Sequence, residues 1–324
     1  MAETGNRASP PRLQPRPEQL RFDLAAALQC VVLVHAEIPE DAFTAAILGT
    51  ERIGHGTVIG ADGLVLTIGY LITEAESIWL TTNDGTVVPG HALAYDQVTG
   101  FGLVLPLGRL GAPSIERGSA ASTRIGDSVI VIGHGGLGHT LEAKVIARRE
   151  FAGYWEYLLE DALFTAPPHP QWGGTALLGE DGRLLGVGSL LVQETVGTQT
   201  LDANMFVPID LLEPILDDMI KLGRAARTPR PWLGMYATPM QGRLVVAGLT
   251  QGGPAHRAGV QLGDIVLEVA GEPVSELADL FRRIWRTGPA GTEIPMTLVR
   301  EGSTARVRVA SADRDDFLTK PKRH

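Results

Sequence analysis

Side chains able to act as a nucleophile or a general base gather around a Gly-Gly pair in the middle of the chain. His169 precedes the pair and Thr175 follows it, while Thr165 and His55 are further candidates. A threonine hydroxyl becomes a nucleophile only beside a base that takes its proton. The sequence offers no such base next to Thr175. We therefore interpret Thr175 as a strand residue after a turn, and His169 as a loop residue between two prolines.

Two histidines, His134 and His139, stand in the segment G-H-G-G-L-G-H and suggest a metal pair. Protein metal sites usually complete such a pair with cysteine or carboxylate ligands. Neither lies close by in sequence, so a polar, glycine-rich loop is the favoured interpretation, and we expect no metal and no cofactor. Cys30, the one cysteine, lies in an apolar run, which favours a buried structural thiol over a reactive one.

The composition is typical of a β-rich globular protein with two domains. The chain has 324 residues, of which 39 are glycine, and a net charge of −9. This negative charge argues against a nucleic acid as partner, because nucleic-acid binding needs a basic surface. The apolar run at residues 24–34 is shorter than the ~20 residues that span a bilayer. We therefore expect no membrane span and a cytoplasmic location, or a periplasmic one if the start codon is misassigned.

Three Asp-Gly pairs between β-type runs predict tight hairpins, at residues 62–63, 84–85 and 181–182. Such a pair readily adopts the positive φ that a tight turn needs. No long helical pattern appears between Ile53 and Phe206, which favours a β-barrel or a sandwich. An aromatic group in this region either lines a cleft or belongs to the barrel core, with the core preferred. It consists of Phe151, Tyr154, Trp155 and Tyr157.

A helix and a smaller unit follow the β-rich region. The apolar periodicity predicts one helix that runs from Asp210, its N-cap, to Gly223. Residues 224–231 carry three arginines and two prolines and are interpreted as a linker. From Trp232 onward the pattern predicts short strands and one amphipathic helix, with Ser275 as its N-cap.

Four blocks of the first region resemble the trypsin-like protease domain of the HtrA (DegP-like) family. Residues 54–72, G-H-G-T-V-I-G-A-D-G-L-V-L-T-I-G-Y-L-I, resemble the family's G-S-G-V-I-I…D-G-Y-I-V-T-N-N-H-V-V. Residues 96–104 are similar to D-P-x-T-D-L-A-V-L, and residues 171–187 to G-N-S-G-G-P-L-V-N-x-D-G-x-V-I-G-I. Residues 205–212 resemble F-A-I-P-I-D, which opens the helix after the barrel. The resemblance implies a mainly β fold, a chymotrypsin-like double six-stranded β-barrel followed by an α+β PDZ domain.

These blocks align the family's three catalytic positions with residues that lack its chemistry. Acyl transfer needs a hydroxyl nucleophile, an imidazole base and a carboxylate that orients the imidazole. The histidine position is Tyr70, the aspartate position is Gly100 and the serine position is Gly173. Tyrosine, with a reference pKa of about 10, is a poor base near neutral pH. Gln171 replaces a glycine of the oxyanion turn, and we expect no catalytic residue at any of these positions.

The second region resembles a PDZ domain of the same family. Its start looks like the carboxylate-binding loop Y-I-G-V, and residues 253–265 match the pattern S-P-A-x-x-A-G-[LI]-x-x-G-D-x-I. A PDZ domain binds a peptide C-terminus as an added strand at the edge of its sheet. The resemblance implies that the first apolar residue of the helix faces the groove and that Ile284 does not. The peptide-binding residues implied are Trp232, Leu233, Gly234, Met235 and Leu277.

We predict five segments along the chain. They are a disordered N-terminal segment (1–20), a trypsin-like domain (21–223), a linker (224–231), a PDZ domain (232–312) and a C-terminal tail (313–324). The predicted function is PDZ-mediated binding of peptides or protein C-termini by a protease-like protein with a degenerate triad, as a scaffold or regulator of protein quality control. Two alternatives stay open, an active endopeptidase with non-standard residues and a structural partner of an active HtrA protease. HtrA proteins form trimers, so the resemblance also implies a homotrimer or a hetero-oligomer.

Overall fold

The computed structural model describes residues 8–319, which divide into two compact units. Residues 1–7 of the segment predicted to be disordered, and residues 320–324 of the predicted tail, lie outside the described range. Of the described residues, the first unit holds those up to Arg149, the stretch Asp161–Ala226 and Thr319. The segments of the second unit are Glu150–Glu160 and Arg227–Leu318.

The first unit is built from two closed β-barrels of six strands each, as the resemblance implied. The strands of the first barrel are β1 (Val31–Glu37), β2 (Glu51–Val58), β3 (Val65–Ile68), β4 (Ser77–Thr81), β5 (Val87–Tyr95) and β6 (Phe101–Pro106). Those of the second barrel are β7 (Ser128–Ile132), β8 (Thr140–Gly153), β9 (Tyr157–Ala166), β10 (Ala176–Leu178), β11 (Leu184–Val196) and β12 (Gln199–Pro208). The barrels close in the orders β1-β2-β3-β6-β5-β4 and β10-β11-β12-β9-β8-β7.

The three hairpins predicted from Asp-Gly pairs are confirmed. They join β2 to β3, β4 to β5 and β10 to β11, with antiparallel pairing in each case. Gly63, Gly85 and Gly182 have φ values of 85°, 87° and 78°. A residue without Cβ adopts this left-handed region without strain, which explains why these turns can be recognised in the sequence.

Helices are few and short. They are α1 (Leu24–Gln29), α2 (Ala45–Leu48), α3 (Leu216–Leu222), α4 (Pro254–Arg257) and α5 (Leu277–Arg286). Single 3-10 turns lie at Pro11–Leu13, Pro17–Gln19, Gly69–Leu71, Gly136–His139, Ile209–Leu211 and Arg314–Asp316. Cys30 is buried directly after α1, and burial raises the pKa of its thiol to about 11. Within residues 8–319, no helix combines the length and the apolar character that crossing a bilayer requires.

The continuous helix predicted from Asp210 to Gly223 is wrong in its first half, because α3 begins only at Leu216. A helix capped by Asp210 would need the N–H of residue 214 to donate to the Asp210 carbonyl. Pro214 has no N–H, so this bond cannot form. The Asp210 carboxylate accepts the backbone N–H of Ala120 at 2.7 Å instead of capping the helix.

The second unit is a sheet with two helices. Its strands are β13 (Met235–Met240), β14 (Arg243–Leu249), β15 (Ile265–Val269), β16 (Glu272–Pro273), β17 (Glu293–Arg300) and β18 (Ser303–Ala310). The strand order is β13-β14-β15-β17-β18, with β16 paired to β15, so β13 forms an edge of the sheet. The apolar side of α5 enters a buried cluster through Leu280, Phe281 and Ile284. The predicted N-cap Ser275 is wrong: Glu276 holds that position, without a side-chain bond.

Candidate functional site

The three positions aligned with the protease triad come together in the first unit. Tyr70 lies in the 3-10 turn after β3, Gly100 precedes β6 and Gly173 precedes β10. The N–H of Gly69 donates to the carbonyl of Gly100 at 2.7 Å. The Tyr70 hydroxyl lies 2.7 Å from the place that a Cβ on Gly173 would take. The fold thus preserves the meeting point of the triad while changing the side chains that meet there.

Tyr70 fills this meeting point with a hydroxyl that is already bonded. Its Oη donates to the backbone carbonyl of Ser189 at 2.9 Å. Burial raises the pKa of Tyr70 well above its usual range, so the phenol stays neutral. A neutral phenol that donates to a carbonyl does not act as a general base.

The turn that would form the oxyanion hole is held by hydrogen bonds within itself and to β2. The N–H of Gln171 donates to Nδ1 of His169 at 3.1 Å. The carbonyl of Gly173 accepts the N–H of His55 at 2.8 Å. An oxyanion hole requires backbone N–H groups aimed at the reacting carbonyl. The N–H of Gln171 is committed to an imidazole inside the turn.

The substitute residues considered from the sequence are buried in structural roles. The hydroxyl of Thr175 donates to the carbonyl of Trp172 at 2.9 Å, and the residue is fully buried. Burial, with a smaller contribution from neighbouring histidines, lowers the pKa of His55 to about 3. Burial likewise lowers the pKa of His169 to about 4. Both imidazoles are therefore neutral at physiological pH. Thr165 is also buried.

Four histidines form a group in the first unit without a metal-binding arrangement. The ring centroids of His55 and His169 are 6.0 Å apart, and those of His139 and His169 are 6.5 Å apart. Nδ1 of His55 accepts the N–H of His134 at 3.0 Å. In the part of the chain that the structure describes, no three histidine, cysteine or carboxylate side chains could together hold a metal ion.

The loop at residues 232–235, here called the carboxylate loop, holds a carboxylate from its own chain. The N–H of Gly234 donates to Oε1 of Glu156 at 2.7 Å, and that of Met235 donates to the same atom at 3.2 Å. The N–H of Leu233 lies 3.1 Å from Oε2. Glu156 is buried, and it lies outside every motif identified from the sequence. Its only sequence signal is an acid placed among aromatic residues, 77 positions from Leu233.

The remaining residues of the predicted groove have distinct roles. Trp232 is buried, and its ring packs on Phe317 at 4.8 Å between centroids. Gly234 has a φ of 67°, and a Cβ there would lie 2.9 Å from the Trp232 ring, so the loop requires glycine. Leu277 is the first residue of α5 and packs, partly buried, against the apolar cluster. Ile284 is buried in that cluster, away from solvent.

The aromatic group predicted to be barrel core lies elsewhere. Phe151, Trp155 and Tyr157 contact one another, and the rings of Trp155 and Tyr157 stack at 5.7 Å. The segment that carries them, Glu150–Glu160, belongs to the second unit. The preference for the barrel core is therefore corrected. The alternation of apolar and polar residues could not reveal this location, because β8 and β9 continue beyond the barrel.

Comparison with known proteins agrees with both folds. Residues 54–187 match the trypsin-like peptidase domain family, and residues 231–310 match the PDZ domain family. The double barrel and the PDZ sheet thus define a trypsin-like peptidase domain joined to a PDZ domain. Together with the DegP-like and DegS relatives described next, these two domains support an HtrA-family protein.

Two curated relatives and one solved structure illustrate the similarity. A probable periplasmic serine endoprotease, DegP-like, from Halomonas elongata is 26% identical over 283 residues, which cover 82% of this chain and 57% of that protein. The serine endoprotease DegS from Haemophilus influenzae is 23% identical over 269 residues, covering 81% of this chain and 77% of that protein. The structure of the HtrA-type protease AlgW with decapeptide has 19% identity, a TM-score of 0.53, and coverage of 93% of this chain and 100% of that chain. It shows a shared fold. The chain spans a little over half the length of the DegP-like relative.

Proposed function

We propose that this chain is an HtrA-family protein without proteolytic activity that binds peptides or protein C-termini through its PDZ domain. It would act as a scaffold or regulator in protein quality control. The observation that carries the loss of activity is the position of the Tyr70 hydroxyl, 2.7 Å from where a side chain on Gly173 would begin. The neutral phenol of Tyr70 thus occupies the space of the nucleophile, and it cannot act as a base.

Two further observations support the loss of activity. The N–H of Gln171 is bonded to His169, so one donor expected in the oxyanion hole is withdrawn. The nearest alternative nucleophile, Thr175, donates to a carbonyl within its own turn. Nucleophile and base act as a unit, so a chain that lacks both has no group to attack the peptide carbonyl and none to take the proton.

The chemistry of the carboxylate loop supports peptide binding. Three successive backbone N–H groups of residues 233–235 already hold a carboxylate, that of Glu156. A peptide C-terminus presents the same group to the same kind of donors. The strand after the loop, β13, lies at an edge of its sheet, where a peptide strand can be added. The AlgW structure, which contains a decapeptide, has the same fold.

The test of the protease half uses a fluorophosphonate probe and casein hydrolysis, with a triad-bearing HtrA protease as positive control. We expect neither labelling nor hydrolysis for the wild-type chain. Gly173→Ser alone should also stay unlabelled, because its Cβ would press against the Tyr70 hydroxyl at 2.7 Å. Hydrolysis by the purified wild type that disappears in Thr175→Ala would instead establish an enzyme with non-standard residues.

Assembly and location are part of the same proposal. Homotrimer formation, or association with an active HtrA, is tested by light scattering and by co-purification with a triad-bearing paralogue. A monomer that captures no paralogue would contradict both.

The name of the Halomonas relative places that protein in the periplasm, which supports a periplasmic location over the cytoplasmic one that the sequence favoured. Cell fractionation decides between them.

A further inference from the structure

The hairpin between β8 and β9 ends in a segment that belongs to the second unit. This hairpin tip, Glu150–Glu160, groups with the PDZ fold although both strands are barrel strands. At its centre, the carboxylate of Glu156 accepts the N–H groups of Leu233, Gly234 and Met235. These are the donors that PDZ recognition assigns to the terminal carboxylate of a bound peptide.

Further contacts hold the hairpin tip on the same unit. Leu158 belongs to the buried apolar cluster of the second unit. The ring of Tyr154 meets that of Tyr236, on β13, edge-on at 6.2 Å between centroids. Glu150 forms an ion pair with Arg282 of α5. The tip therefore supplies the two features that a PDZ ligand supplies, a carboxylate and a buried apolar side chain.

The conformation of Glu156 indicates that this docking is specific. Its φ of 60° lies in the left-handed region, which non-glycine residues rarely adopt. Such strain persists only where surrounding contacts enforce it, and it concentrates at functional sites. A buried carboxylate is also unfavourable unless donors satisfy it. Glu156 thus combines an unfavourable backbone conformation with a buried carboxylate. Hydrogen bonds from the N–H groups of the carboxylate loop offset these costs.

We propose that Glu156 is a built-in ligand of the carboxylate loop, so that the loop is closed to outside carboxylates until the hairpin tip leaves. This inference rests on the proposed peptide-binding function. It changes how that function operates: a C-terminal peptide competes with a ligand of the same chain. If the tip is docked nine-tenths of the time, the apparent affinity for an outside peptide falls about tenfold, in proportion to the free fraction.

The experiment compares full-length wild type with Glu156→Ala, Glu156→Gln and the matched control Glu160→Ala. Glu160 lies on the same hairpin, carries the same charge and is exposed. The first measurement is amide hydrogen exchange across residues 232–236. The second is the binding of fluorescein-labelled hexapeptides that end in valine, leucine, isoleucine or phenylalanine with a free carboxylate. The same peptides with an amidated C-terminus serve as the negative control.

We expect exchange at residues 232–236 to become about tenfold faster or more in Glu156→Ala, and free-carboxylate peptides to bind about tenfold more tightly or better. Glu156→Gln should lie between wild type and Glu156→Ala, and Glu160→Ala should match wild type. Unchanged exchange in both Glu156 variants would contradict the proposal that Glu156 is a ligand of the carboxylate loop. Faster exchange with unchanged peptide affinity would contradict the proposal that Glu156 closes the loop to outside carboxylates. Faster exchange with no binding by any variant would keep the internal ligand and overturn the peptide-binding function.

Discussion

At the scale of single residues, Glu156 combines a buried carboxylate with three backbone donors. Burial raises its pKa from 4.5 to about 7, against the lowering effect of the N–H groups of Leu233, Met235 and Gly234 and of the charge of Arg314. The carboxylate loop itself carries no charged side chain. Desolvation therefore outweighs hydrogen bonding at this residue, which favours the protonated acid relative to a glutamate in water.

The pH dependence of stability follows from this shift. An acid whose pKa is raised in the folded state contributes stability that is fully present below pH 4.5 and is lost as the pH rises through about 7. We expect wild type to lose on the order of 3 kcal/mol of unfolding free energy over this range through Glu156. Glu156→Gln should remove that part of the slope, whereas Glu160→Gln should retain it. Urea unfolding at a series of pH values measures both, and an identical slope in Glu156→Gln would contradict the assignment.

Gly234 and Gly242 form a matched pair for testing the carboxylate loop. Both have positive φ, 67° and 74°, but a Cβ on Gly234 would lie 2.9 Å from the Trp232 ring, while one on Gly242 would meet nothing within 4 Å. Gly242→Ala should cost about 1 kcal/mol, from backbone strain alone. Gly234→Ala should cost about 2–3 kcal/mol, because steric overlap adds to that strain. Thermal unfolding checks the difference, and equal losses would show that the ring moves aside freely.

At the scale of elements, the predicted peptide groove lies between α5 and β13. The buried side of α5 holds Leu280, Phe281 and Ile284, whereas Leu277 at its first turn is only partly covered. β13 lies at a sheet edge beside the carboxylate loop. One face of the helix thus packs in the core, and its partly exposed N-terminal residue stays the one predicted to face the groove.

Leu277→Asp tests that division. The first turn of a helix tolerates an acid, because aspartate interacts favourably with the positive end of the helix dipole, so α5 should persist. The new charge would repel a peptide carboxylate and remove apolar surface from the groove. In the Glu156→Ala background we expect peptide affinity to fall about tenfold or more, with Leu262→Asp, an exposed leucine, as control. Fluorescence anisotropy measures the affinity, and binding that survives Leu277→Asp would place the groove elsewhere.

At the scale of the whole molecule, the chain forms its second unit from two separate stretches of sequence. Leu158 lies near the start of the barrel strand β9, yet it belongs to the apolar cluster of the second unit, with 7% of its surface exposed. The stability of this unit therefore depends on a segment that precedes the PDZ sequence by more than seventy residues. A fragment that begins at the linker would lack part of its own core.

Leu158→Ala should accordingly weaken the second unit. The loss of a buried leucine side chain costs about 2–5 kcal/mol. Hydrogen exchange should accelerate in β13, β14 and α5 and stay unchanged in the first barrel. Leu201→Ala removes the same atoms from an exposed position on β12 and should leave the second unit unaffected. Equal exchange in both variants would mean that the hairpin tip does not contribute to this core.

The sequence by itself determined the local and contiguous features. The Asp-Gly turns specify their own φ, so three hairpins follow from neighbouring residues, whereas the two barrels were implied by the resemblance to the HtrA family. The triad positions were located by contiguous blocks, and the structure brings Tyr70 and Gly173 together as those blocks imply. The carboxylate loop was found in the same way, although its role in binding outside peptides stays a prediction.

Only the tertiary structure decided what occupies these sites. The hydrogen bond of Tyr70 joins residues 119 positions apart, and that of Glu156 to Leu233 joins residues 77 positions apart. The donors that Glu156 contacts depend on how far β8 and β9 extend past the barrel. Residue spacing does not predict this length. The sequence could therefore identify a loop built to hold a carboxylate. Only the folded structure shows that the bound carboxylate belongs to the same chain. The buried N–H groups of the loop need hydrogen-bond acceptors, and the fold places Glu156 beside them.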